Sequence, residues 1–81
     1  MKEIKQEGIF VKRLADLMNE HNLIQTTLSQ KTGIPRRSIS NWFHGTKSPG
    51  ADYLKILATY FKVSVDYLLG LEDEFGNKTY K

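Results

Sequence analysis

The stretch Gln25 to Gly45, QTTLSQKTGIPRRSISNWFHG, leaves this chain few folds to choose from. Its apolar side chains fall at Leu28, Ile34, Ile39 and Trp42, with a small residue at Ser29 and one internal glycine, Gly33. That spacing predicts two short helices joined by a sharp turn. Leu28 and Ser29 take the inner face of the first helix. Gly33 supplies the positive φ that stops it, and Pro35 opens the second with its preset φ. Ile39 and Trp42, three apart, define the inner face of the second helix. Its outer face carries Arg36, Arg37, Ser40, Asn41 and His44, with Ser38 beside them, and no carboxylate.

Guanidinium forks and an amide on one helix face suit the edges of DNA bases. Arginine matches the acceptors that guanine shows in the major groove, and asparagine matches adenine's donor and acceptor pair. The net charge is only +3, but it is unevenly spread. No acidic residue lies between Glu20 and Asp52, where Lys31, Arg36, Arg37 and Lys47 give +4, so the rest of the chain carries −1. A basic surface on the segment that also bears the recognition pattern is the electrostatic footprint of a DNA binder.

The flanking sequence supplies the core. Phe10, Leu14, Leu17 and Met18 form one apolar stripe, predicting an amphipathic helix from Ile9 to about His21 with Lys12, Arg13, Asp16 and Glu20 toward water. His21 reads as a solvated residue favoured by the helix dipole. Residues 1–8 read as a polar arm or a helical extension: Ile4 and Val11 are seven apart, but Gly8 inside a helix costs about 1 kcal/mol. After the loop Gly45 to Gly50, a fourth helix is predicted from about Ala51 to Phe61. Leu54, Leu57, Ala58 and Phe61 form its stripe, and Tyr53, Ile56 and Tyr60 widen it into the core. Ser64 caps a short fifth helix, Val65 to Leu69, which Gly70 stops. Residues 71–81 open with the acidic run Glu72-Asp73-Glu74 and read as a tail, a linker or a small dimer-forming extension.

Two aromatics and a histidine near the recognition face need assigning. Trp42 shares its face with Ile39 and belongs to the core. Phe43 either packs under the following loop or is exposed at an interface. His44 either touches phosphate or caps its helix, the capping role being the better fit.

Other classes fit poorly. A chain of 81 residues makes one domain that buries only about 60% of its unfolded surface, so dimerisation would help it. There is no cysteine, hence no disulfide or thiolate metal site, which suits a reducing cytoplasm. No apolar run approaches the roughly 20 residues that span a bilayer, and MKEIKQEG lacks a signal-peptide core, so a soluble cytoplasmic protein is expected. Enzymatic readings fail on spacing: there is no plausible Ser, His and carboxylate set, no ligand spacing between the two histidines and no phosphate-cradling glycine loop. Neither catalysis nor a cofactor or metal is expected.

LIQTTLSQKTGIPRRSISNWFHGTKSP, followed by YLKILATYFKVSVDYLLG, resembles the Cro and phage-repressor type of helix-turn-helix domain, the XRE-like or lambda-repressor-like family. Gln25, Ser29, Gly33, Ile34 and the closing VSVDYLLG stand at family spacing, and the likeness covers about residues 9–70. Ile24 and Pro35 stand where a capping hydroxyl or amide is usual, and Phe43 where many members carry Glu. The resemblance implies an all-α, five-helix domain that binds double-stranded DNA as a homodimer on a palindromic operator, with Arg36 to His44 in the major groove. It implies a phosphate contact for Gln25, which also braces a side chain of the recognition helix, and a backbone clamp at Lys47, with Thr46 and Ser48 weaker. A transcriptional repressor of phage or Cro type is the expected role. The alternatives are an antitoxin of a toxin–antitoxin pair, or a protein-interaction module on the same fold.

Overall fold

The computed structural model describes residues 6–73 and 77, and structural statements refer to these. Five helices follow one another: α1 (Gln6–Glu20), α2 (Gln25–Thr32), α3 (Arg36–His44), α4 (Ala51–Phe61) and α5 (Val65–Leu69). The all-α expectation holds, and the bounds of α4 and α5 match those read from the sequence.

α1 differs from its predicted start. It runs through Gly8, so residues 6–8 belong to the helix and not to an arm; residues 1–5 lie outside the described part. Gly8 is exposed and a Cβ there would meet nothing within 4 Å, so the helix tolerates it at the cost of backbone entropy alone. α1 ends at Glu20, and the turn after it passes through Asn22, whose φ of 57° is left-handed; Leu23 N–H donates to Met18 O at 2.8 Å, closing that turn.

Each later helix is also stopped by a left-handed residue: Gly33, Gly45, Lys62 and Gly70. At Gly33 this bends the chain so that Ile34 is fully buried, while Ser29 Oγ donates to Ile34 O at 2.6 Å and ties the turn to α2. Pro35 stands one residue earlier than a helix-opening proline: it is the N-cap, with ψ of 136°, and Arg36 is the first helical residue.

One core joins the elements. Phe10, Leu14, Leu17 and Met18 of α1 meet Leu28, Ile34, Ile39 and Trp42 of the motif, then Leu54, Leu57, Ala58 and Phe61 of α4 and Leu68 of α5. Trp42 packs edge-on against Phe10, centroids 5.6 Å apart at 79°, and lies 5.8 Å from Tyr53. The recognition helix is thus held to both α1 and α4 by one indole, which confirms Trp42 as core. Ile56 does not join this core: it is 37% exposed, beside Lys55, Thr59 and Tyr60, because the α4 stripe is narrower than its hydrophobic residues suggested.

Arg13 was expected to face water, and it does not. It is half-buried, its guanidinium lies 4.4 Å from the centre of the Tyr67 ring, and its Nη1 donates to the backbone carbonyls of Tyr67 and Glu72. Ser64, besides capping α5 by accepting from Tyr67 N–H, donates to Glu72 Oε1 at 2.8 Å. Residues 71–73 are therefore docked on α1 and α5 and half-buried, so the folded unit does not stop at Gly70.

Candidate nucleic-acid interface

α3 is fixed from behind and open in front. Ile39 is completely buried and Trp42 is 3% exposed, so the helix cannot roll without losing two large apolar contacts. On the opposite side Arg36, Arg37, Ser40 and Asn41 line one shallow depression. Arg36 and Arg37 are exposed, while Ser38, Ser40 and Asn41 are half-buried. Arg37, Asn41 and His44 follow at four and three residues and so stand in one row along the helix.

The end of α3 shapes what its last residues offer. Gly45 N–H donates to Trp42 O and Thr46 N–H to Asn41 O at 3.0 Å, a Schellman arrangement that turns the chain away from the helix axis. Thr46 Oγ1 also donates to Asn41 O, so this hydroxyl serves the cap. Lys47, one residue on, is exposed in the loop. His44 is exposed too, and its Nδ1 lies 2.8 Å from Ser40 O and 3.2 Å from Ser40 Oγ. The His44 ring thus lies against the Ser40 carbonyl one turn back, while the C-terminal carbonyls of Asn41 and Trp42 are met by the cap's backbone N–H groups.

Both motif helices begin without a side-chain cap. Ile24 has no oxygen to offer; instead Thr27 Oγ1 accepts from Ile24 N–H at 2.9 Å, and the first-turn amides of α2 gain no side-chain acceptor from the cap. Pro35 likewise offers none, although its carbonyl accepts from Ser38 and Ile39 N–H. Free first-turn amides and the helix dipole favour an anion at each of these ends. Gln25, the first residue of α2, is half-buried and lines the same hollow as Phe43 of α3.

Phe43 packs differently from either expectation. It is half-buried against the core and shares a surface hollow with Ala15, Met18, Asn19, Leu23, Ile24 and Gln25, on the α1 and α2 side rather than under the following loop. Apolar Phe43 beside buried Met18 needs no charged partner across this junction. Among the described residues no group of His, Asp or Glu is arranged to hold a metal ion, and no helix is long and apolar enough to cross a membrane.

A basic, carboxylate-free helix held over a compact helical core defines a helix-turn-helix domain. The helix-turn-helix family model matches residues 14–68, and the chain belongs to this family, in its XRE or lambda-repressor-like form. It is 39% identical over 66 residues to an uncharacterised HTH-type transcriptional regulator, YobD, of Bacillus subtilis, covering 82% of this chain and 59% of that protein. It is 33% identical over 64 residues to the HTH-type transcriptional activator BcrR of Enterococcus faecalis, covering 79% of this chain and 31% of that one. A transcriptional regulator from Listeria innocua, known as a crystal structure, superposes with a TM-score of 0.67 at 31% identity over 80% of this chain and 61% of that one. The chain thus spans about three fifths of the first relative and under one third of the second.

Proposed function

We propose that the chain is the DNA-reading part of a transcriptional regulator, binding double-stranded DNA sequence-specifically as a homodimer with α3 in the major groove. The observation that carries this reading is the outer face of α3: Arg36, Arg37, Ser40 and Asn41 gathered in one depression, backed by buried Ile39 and Trp42. A helix of nine residues addresses only one half-site, so two copies related by a two-fold axis would read a palindrome with half-sites about 34 Å apart. Half-buried Val65, Leu69 and Leu71, on and just after α5, supply the apolar surface for that pairing. A repressor of phage or Cro type remains our choice of role, while the activator named among the relatives makes activation the second reading. We assign no catalysis and no cofactor.

Selection of bound sequences from random duplex DNA tests the whole reading at once. A dyad-symmetric site should emerge. Affinity for it should fall with salt at a log-log slope of roughly −4 to −7 for a dimer, at about −0.9 per phosphate contact. A slope near zero, or no enrichment, would sink DNA binding; an asymmetric site bound by one chain would sink the dimer alone.

A further inference from the structure

Two lysines from different helices edge one apolar hollow. Lys31 and Thr32 end α2, Lys55, Ile56, Thr59 and Tyr60 lie along α4, and together they line a shallow depression where the two helices meet. Ile56 is 37% exposed in it, and Tyr60 is half-buried beside it. Thr32 has its hydroxyl engaged, donating to Leu28 O at 2.7 Å and accepting from Ile34 N–H at 3.2 Å, so it brings the hollow no free polar group. No carboxylate lines the depression, and among the described residues neither lysine has an ion-pair partner. Lys31 has a local reason to be cationic in the last turn of α2, where the helix dipole favours it; Lys55, midway along α4, has none. An isoleucine exposed on its own means little. An apolar floor edged by two unpaired ammonium groups, however, is complementary to an apolar side chain set between two carboxylates.

We propose that this hollow docks an acidic helix of a partner protein, whose carboxylates meet Lys31 and Lys55 while an apolar side chain between them covers Ile56 and Tyr60. A helix suits the site because residues one turn apart project from the same face, which brings an apolar side chain and its flanking carboxylates to the hollow together. Ion pairs formed against an apolar floor are screened less than pairs in open water. A nucleic-acid backbone offers phosphates to the lysines but nothing to Ile56. A membrane surface takes apolar groups that protrude, whereas this floor is recessed between α2 and α4. The hollow shares no residue with the depression on α3, and Lys31 stands about 9 Å along α2 from Gln25, so the inference does not rest on the DNA-binding reading.

The probe is a synthetic alanine-rich helical peptide carrying one leucine with a glutamate four residues to either side. Two companion peptides replace the leucine by serine, or both glutamates by lysine. Binding is read from nitrogen-15 amide shifts of the full chain, with circular dichroism to confirm the fold of each variant. The leucine–glutamate peptide should shift amides around Lys31, Lys55 and Ile56, and both companions should bind severalfold more weakly. Ile56→Ser should weaken binding severalfold. In a chain carrying Lys31→Glu and Lys55→Glu together, the lysine peptide should become the preferred one, a reversal that lost packing alone does not produce. Shifts centred on Arg36, Arg37 and Asn41, equal binding of the leucine and serine peptides, undiminished binding to Ile56→Ser, or no shift at millimolar peptide each overturn the inference. So does a loss of duplex-DNA affinity with a flatter salt slope in Lys55→Ala, which would make the hollow a DNA clamp, or binding of anionic phospholipid vesicles through these same residues, which would make it a membrane contact.

Discussion

The guanidinium of Arg13 sits 4.4 Å from the centre of the Tyr67 ring while donating to that same residue's backbone carbonyl. With the Glu72 carbonyl as second acceptor, one side chain of the first helix ties down the last helix and the segment that follows it. Hydrogen bonds from a charged donor contribute about 1.5–3 kcal/mol where partly buried. Arg13→Met should therefore cost about 2 kcal/mol in urea unfolding. The neighbouring Lys12–Asp16 pair, 3.9 Å apart and largely exposed, should contribute less than about 0.5 kcal/mol when Lys12 is truncated. Equal losses in the two variants would show that Arg13 is only another surface charge.

Two glycines should respond to alanine with opposite signs. Gly8 is helical with open space around it, so Gly8→Ala should stabilise by about 0.5–1 kcal/mol, raising Tm by several degrees. Gly70 has φ of 83°, and a Cβ there would stand 2.8 Å from Ile9 Cγ2 and 3.2 Å from its Cδ1. Backbone strain and the clash at the α1–α5 junction act together, so Gly70→Ala should destabilise by about 2 kcal/mol or more. Thermal unfolding of the pair decides it, and a gain at both positions would mean that α1 does not pack on α5 as described.

The missing cap of α2 is a third test. Ile24 is 65% exposed at the N-cap and contributes little burial, while the first-turn amides gain no side-chain acceptor from it. Ile24→Ser should stabilise the domain by about 1 kcal/mol. An unchanged or lower midpoint in denaturant would show that the Ile24 side chain matters more to the hollow it shares with Met18 and Phe43 than its exposure suggests.

The motif was legible because its signals are local. Gly33, Ile39 and Trp42 declare a turn and a buried face at fixed spacing, and the structure buries Ile39 and Trp42 as that spacing requires. Arg13 was not legible: helical periodicity puts it beside the stripe, and only the return of α5 across α1, more than fifty residues later, gives it partners. Gly8 left an arm and a helical extension both open, since an intrinsic penalty of about 1 kcal/mol does not by itself end a helix, and α1 runs through it. Ile56 misled because a hydrophobic residue at a stripe's margin is buried only if a neighbour arrives to cover it. Phe43 needed the hollow formed with α1 and α2 before either expectation for it could be replaced.

Reading and clamping should separate by mutation. Arg37 and Asn41 stand one turn apart on the face of α3 opposite buried Ile39 and Trp42, so in the major groove they reach base edges, with guanine and adenine their respective best partners. Lys47 is exposed in the loop beyond the Schellman turn at Gly45, where the proposed docking of α3 would bring it to the phosphate backbone. Arg37→Ala or Asn41→Ala should cost about 1–3 kcal/mol on the selected site and much less on random DNA, flattening preference at one base position per half-site. Lys47→Ala should weaken both DNAs alike and reduce the salt slope by about one per subunit. Each variant is titrated against both DNAs at two salt concentrations, with circular dichroism to confirm the fold. If Arg37→Ala and Lys47→Ala lose affinity for the two DNAs in the same proportion, Arg37 holds a phosphate and the base it was assigned is read by another side chain.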